Sequence, residues 1–161
     1  MKVLWKHRSG KVLICSVLFV FSFGATGCDL ELTDDHSLFL ASRELVMEGR
    51  FAEAKKGFVE YLSAQPTGKF ASRASFFVAK CDLGLGDLPA ARIAFENCRE
   101  LYPNTNEAEK SSYKLAFIDL LEGNENRALE ILRDLAANPR GTLSPEAAAL
   151  AGFLESKAGD Q

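Results

Sequence analysis

Gly49-Arg50-Phe51-Ala52-Glu53-Ala54, Gly86-Asp87-Leu88-Pro89-Ala90-Ala91 and Gly123-Asn124-Glu125-Asn126-Arg127-Ala128 are three copies of one phrase, spaced 37 residues apart. Working outward, Phe58, Phe95 and Leu132 stand four residues beyond the closing Ala of each copy. Pro66 and Pro103 keep the same register, and Pro139 comes one residue early. Upstream, Ser42, Ala79 and Ala116 align as small residues, and Ala41, Val78 and Leu115 as apolar ones. Agreement at so many positions over three copies marks an internal repeat. Each Gly separates two stretches of helical composition and supplies the conformational freedom for a tight helix–helix turn. The Ala five residues later lets the second helix approach the first, and the Phe or Leu beyond it fills the remaining gap on the same face. Proline then closes the second helix, because it cannot supply a backbone N–H.

The pattern predicts helices at about 35–48, 51–64, 69–85, 88–102, 106–122, 125–137 and 144–157. Ser144-Pro145-Glu146 opens the last with a capping residue and a Pro in the first turn. Gly159-Asp160 repeats Gly86-Asp87, 36 residues after Gly123, so the last helix reads as a half-repeat that covers the solenoid end. The spacing Gly…Ala…Phe…Pro resembles the second half of the tetratricopeptide (TPR) repeat, whose usual period is about 34 residues. Asp82 and Asp119 depart from it, standing where that family commonly has apolar residues. The longer period is similar to the repeats of bacterial envelope proteins of the BamD and CpoB type. The resemblance implies an all-α, TPR-like α-solenoid over residues 35–161. It would hold three helix-turn-helix repeats (about 35–68, 69–105 and 106–141) and a C-terminal capping helix at 144–157.

Ahead of the repeats lies a leader. Lys2, Lys6, Arg8 and Lys11 make a basic start, and Val12 to Phe23 is almost wholly apolar. About a dozen apolar residues suit a signal-peptide core, whereas a membrane span takes roughly 20. Ala25-Thr26-Gly27-Cys28 then resembles the lipobox of bacterial lipoproteins, with Ala25 where Leu is usual. That resemblance implies a signal peptide at 1–27, a diacylglycerol and an N-acyl chain on Cys28, and a short tether over 28–34. The alternative is an ordinary secretory signal with Cys28 a plain thiol. Asp29 resembles the enteric signal for retention at the inner membrane. The expected location is therefore the bacterial cell envelope, on the periplasmic side of the inner membrane in preference to the outer membrane.

All 22 acidic residues follow Cys28, against 15 of the 19 basic ones, so the chain from Cys28 onward carries a net charge of −7. That excludes nucleic acid as a natural partner, since such binding needs basic surface. It also leaves the lipid as the membrane contact. Cys81 and Cys98 remain as thiols in a compartment that permits disulfides. With a hairpin turn near Asp87, their offset along the axes is roughly 9 Å. Added to an interhelical separation of about 8–10 Å, this exceeds the ~7 Å limit for a disulfide. Both are expected to be free and buried.

Catalytic chemistry finds no foothold in the sequence. His36 is the one histidine after the leader, with no ligand cluster at metal spacing and no partner for a nucleophilic triad. The glycines are turn punctuation, and Glu96, Glu100, Glu107 and Glu109 read as a solvated helix face. No enzyme, no metal and no cofactor beyond the acyl chains is expected.

The expected site is a surface. In TPR arrays the first helix of each repeat lines a concave groove. Counting back 13, 10, 6 and 3 residues from each Gly gives His36, Phe39, Arg43, Val46; then Arg73, Phe76, Lys80, Leu83; then Lys110, Tyr113, Phe117, Leu120. An aromatic recurs at the second place, and basic groups gather at the first and third. Such a stripe would suit a peptide bearing acidic groups or a C-terminal carboxylate. Alternatively, Phe39, Phe76 and Tyr113 pack between repeats and the cations are solvated. The expected function is a membrane-anchored adaptor that holds other envelope proteins or peptides on its concave face. The alternatives are a self-associating structural subunit, or an accessory subunit of a cell-wall enzyme or of a pilus or secretion complex.

Overall fold

The computed structural model describes residues 34–159. The leader, Cys28 and the tether up to residue 33 lie outside the described residues, while Asp34, expected to end the tether, opens the first helix. Among the described residues seven helices follow one another: α1 (Asp34–Met47), α2 (Phe51–Ala64), α3 (Ala71–Gly84), α4 (Leu88–Leu101), α5 (Asn106–Leu121), α6 (Glu125–Ala136) and α7 (Ser144–Gly159). Their ends fall within two residues of the bounds expected from the repeat.

The hairpin turns share one construction. Gly49, Gly86 and Gly123 have φ of +77°, +79° and +80°. In each, the Gly N–H donates to the carbonyl three residues back, and the next N–H donates five back (Gly86 to Leu83 and Asp87 to Asp82). These are the paired bonds of a Schellman helix end. A Cβ added at any of the three glycines would meet nothing within 4 Å, so the backbone angle and not space demands glycine. Gly86→Ala should therefore cost about 1–2 kcal/mol, the penalty of a left-handed conformation for an L-residue, with the fold intact. Urea denaturation followed by circular dichroism checks this.

Each helix packs on the next, and α1–α3 and α3–α5 also touch, whereas no comparable packing joins α2, α4 and α6, although Arg127 of α6 approaches Glu96 of α4 to 4.0 Å. The first helices thus form the inner, concave layer. Ala54, Ala91 and Ala128, with Phe58, Phe95 and Leu132 four residues on, are all fully buried. In repeat one the approach is tight: a Cβ on Gly57 would lie 2.1 Å from Ser42 Oγ. Three apolar clusters result, each made from one hairpin and the helix after it. Phe39, Phe58 and Tyr61 gather with Ala74 and Cys81 of α3. Ala79, Ala91 and Phe95 gather with Leu115 and Ile118 of α5. Ala128, Leu132 and Leu135 gather with Ala147, Ala151 and Leu154 of α7. α7 therefore closes the last hairpin as the capping half-repeat.

Asp82 and Asp119 depart from the apolar residues that the TPR family commonly has there, yet they occupy core positions. Both are buried. Lys55 Nζ of α2 donates to Asp82 at 2.5 Å, and Arg92 Nη2 of α4 donates to Asp119 at 2.6 Å. Lys55 and Arg92 are themselves 37 residues apart, so one ion pair is repeated at both seams. Cys81 and Cys98 are unpaired and buried. Burial pushes the Cys81 thiol up to about 11 and raises that of Cys98 as well, which makes both poor nucleophiles.

Candidate functional site

A cleft of about 290 Å³ opens on the concave layer where α1, α3 and α5 meet. α1 contributes Phe39 and Arg43, α3 contributes Arg73, Phe76 and Phe77, and α5 contributes Asn106, Glu107 and Lys110. The 37-residue period sets this arrangement: Phe39 and Phe76 are one period apart, as are Arg73 and Lys110, and neighbouring first helices are in contact.

The cleft collects five of the nine side chains expected to form a groove: Phe39, Arg43, Arg73, Phe76 and Lys110. The other four lie elsewhere. His36 packs against the Phe70 ring, centroids 5.1 Å apart. Lys80 Nζ sits 5.6 Å from the centroid of Phe77. Tyr113 packs on the α6–α7 cluster. Phe117 is 45% exposed on α5, with Lys114 over its ring.

Two features refine the expected stripe. Phe39 is only 3% exposed, stacked on Phe70 at 4.8 Å and edge-on to Phe58 and Phe77. It is a core residue that forms the floor of the cleft. Phe76 likewise leans on Phe95 of its own repeat at 5.6 Å, so the recurring aromatic is chiefly core packing. Val46 at the fourth place is also buried. The positive charge is partly answered from within. Glu107 lies 3.7 Å from Arg73 Nε and 3.8 Å from Lys110 Nζ, and it accepts from Ser72 Oγ. Arg43 makes no ion pair among the described residues. The cleft thus holds three cations, one carboxylate and two half-buried rings from Phe76 and Phe77. Charge and apolar edge together suit an extended segment with an acidic group.

Phe77 and Glu107 escaped the stripe because the count used only four places per helix. Phe77 is adjacent to Phe76, and Glu107 lies in the first turn of α5, beyond the counted window.

Glu107 and Glu109 are also not the solvated face that sequence composition implied. Glu109 accepts from Thr142 N–H, Thr142 Oγ1 and Leu143 N–H, tying α5 to the loop before α7. Burial tends to raise its carboxyl, but the bonds from Leu143 and Thr142 prevail and hold it below the ordinary 4.5. A depressed native value contributes stability that is present above about pH 4.5 and is lost as pH falls through the native value. Glu109→Gln should leave the melting temperature less sensitive to acid over that window. The check is thermal melting of both proteins between pH 3 and 6, with the difference largest at the upper end.

Among the described residues no group of three or more His, Cys, Asp and Glu could hold a metal ion, and no helix is long and apolar enough to cross a membrane. No protein-family model matches the sequence, and no curated protein matches it. Among solved structures, the chain is similar to the type III secretion translocator chaperone SycD of Yersinia enterocolitica. Identity is 17% and the TM-score is 0.62, over 77% of this chain and 85% of that one. The fold is thus an all-α, TPR-like array of three helical hairpins and a capping helix.

Proposed function

We propose that the chain is a protein-binding adaptor, anchored through lipid on Cys28 to a bacterial envelope membrane, that captures an acidic peptide segment on its concave face. The observation that carries this reading is the cleft among α1, α3 and α5, where Arg43, Arg73 and Lys110 border Phe76 and Phe77. Guanidinium groups recognise carboxylates in a fork geometry, and rings supply contact area at small entropic cost. The similar SycD, named as a translocator chaperone, lends support from a protein whose partners are proteins. The leader and lipobox-like tetrapeptide support the anchoring, as does the acidity of the chain after Cys28, which needs a lipid to stay at a membrane. The 37-residue period supports kinship with envelope repeat lipoproteins of the BamD and CpoB type.

Crosslinking and pull-down from native membranes tests the capture. Arg43→Glu with Arg73→Glu should lose the partner while the melting temperature stays close to wild type, because both side chains are mainly exposed. A partner retained at full yield by the double variant would sink the cleft. Palmitate labelling of wild type and Cys28→Ser tests the anchor, with label expected only on the former.

Self-association has one observation in its favour. Ala148, Ala149, Gly152 and Phe153 are exposed on α7, Phe153 by 63%. Light scattering of the delipidated protein separates the readings, since a clean monomer removes the second.

A further inference from the structure

The repeat symmetry is broken at one seam, and a cavity results. Between repeats one and two, Tyr102 closes the gap between successive loops by donating its hydroxyl to the Pro66 carbonyl at 2.9 Å. One period later the equivalent position is Pro139, which has no ring hydroxyl to offer. Between the α4–α5 and α6–α7 loops there is instead an open cavity of about 550 Å³, lined by Arg99, Asn104, Asn106, Ser112, Asn138 and Arg140 among others.

The charge state of this cavity is unusual for the chain. Of the eight arginines in the described residues, Arg50, Arg73, Arg92, Arg127 and Arg133 engage carboxylates. Arg43, Arg99 and Arg140 do not, although acids outnumber bases. Two of those three line the same cavity. Glu109 also borders it, but its oxygens are held by Thr142 and Leu143. The start of α5 adds nothing by itself, since Thr105 already caps the Ala108 N–H. What remains is a pair of uncompensated guanidinium groups beside three side-chain amides and a hydroxyl, all able to donate.

We propose that this cavity binds a small oxyanion, a carboxylate or phosphate group carried on a polar molecule, between Arg99 and Arg140. Arg forks match the two-oxygen edge of either group. The amides of Asn104, Asn106 and Asn138 would serve hydroxyl or amide groups on the rest of the ligand. The site is separate from the concave cleft: none of its lining residues is shared except Asn106.

The test is a titration of the full chain, purified in detergent, with inorganic phosphate or acetate, each against chloride at matched ionic strength. Melting temperature and backbone amide shifts near 104–106 and 138–142 are read together. Saturable shifts and a rise in melting temperature beyond chloride are expected for at least one anion. Phosphate alone would identify a phosphoryl group, and acetate alone a carboxylate. Arg99→Gln with Arg140→Gln should weaken the response at least tenfold, while Arg43→Gln leaves it unchanged. Because Arg99 and Arg140 are exposed and unpaired, the double variant should melt near wild type without ligand. Should it not, the amide shifts at 25 °C still decide. Linear shifts equal to those with chloride, or shifts that survive the double variant, would overturn the proposal.

Discussion

Asp119→Ala should lower stability by about 3–5 kcal/mol, the cost of stranding a buried charge by removing its partner. Asp119 is fully buried, and Arg92, the donor to it, has a side chain only 17% exposed. Arg92 would keep Glu122 at 2.8 Å, which places the loss toward the lower end of that range. The pair is not bidentate. Arg92 Nη1 and Asp119 Oδ2 lack hydrogen-bond partners, and Arg127 Nε approaches Oδ2 only to 3.7 Å. An imperfect buried pair gains little over an apolar substitute, so Arg92→Leu with Asp119→Leu should recover most of the loss. Leucine already stands at each place singly, Leu45 at the aspartate position in repeat one and Leu129 at the arginine position in repeat three, where Ser156 replaces the aspartate one period after Asp119. Urea denaturation of Arg92→Leu, Asp119→Leu and the double yields the coupling. A double variant as unstable as Asp119→Ala would contradict this account.

Phe95→Ala should cost about 3–5 kcal/mol, the range for truncating a buried aromatic. Phe95 is fully buried in the cluster that joins α3 and α4 to α5, where it meets Phe76 at 5.6 Å. In a linear array stability is nearly a sum of repeat and neighbour terms. A loss in the middle repeat therefore weakens its links to both sides, whereas Leu132→Ala weakens the α5–α6–α7 end alone. Hydrogen exchange distinguishes the two: protection should fall along the whole array for Phe95→Ala, but chiefly in α6 and α7 for Leu132→Ala.

The three glycine phrases carried most of the architecture, because a turn with positive φ, a close-packed alanine and a filling side chain leave a local signature. The seams did not read as easily. Asp82 looked like a departure from an apolar position because its partner, Lys55, lies 27 residues back on another helix. The signal was present in the shared 37-residue step from Lys55 to Arg92 and from Asp82 to Asp119, but only a pairing across helices gives it meaning. The cleft was half legible. Register placed Arg73 and Lys110 side by side, yet it could not say that Phe39 turns inward, because a modest rotation of a helix about its axis moves a residue from groove to core. Glu107, which tempers the two cations, sits outside the window in which charge recurs.

The staggered clusters have a consequence for length. Every seam is completed by the helix that follows, so the chain behaves as a modular ruler. A second copy of residues 87–123 inserted after Gly123 would bring its own Arg92–Asp119 pair and its own glycine turn. α6 and α7 would still close the end. Reach can grow one hairpin at a time, and the inner surface can accept a longer guest without any existing joint being redrawn.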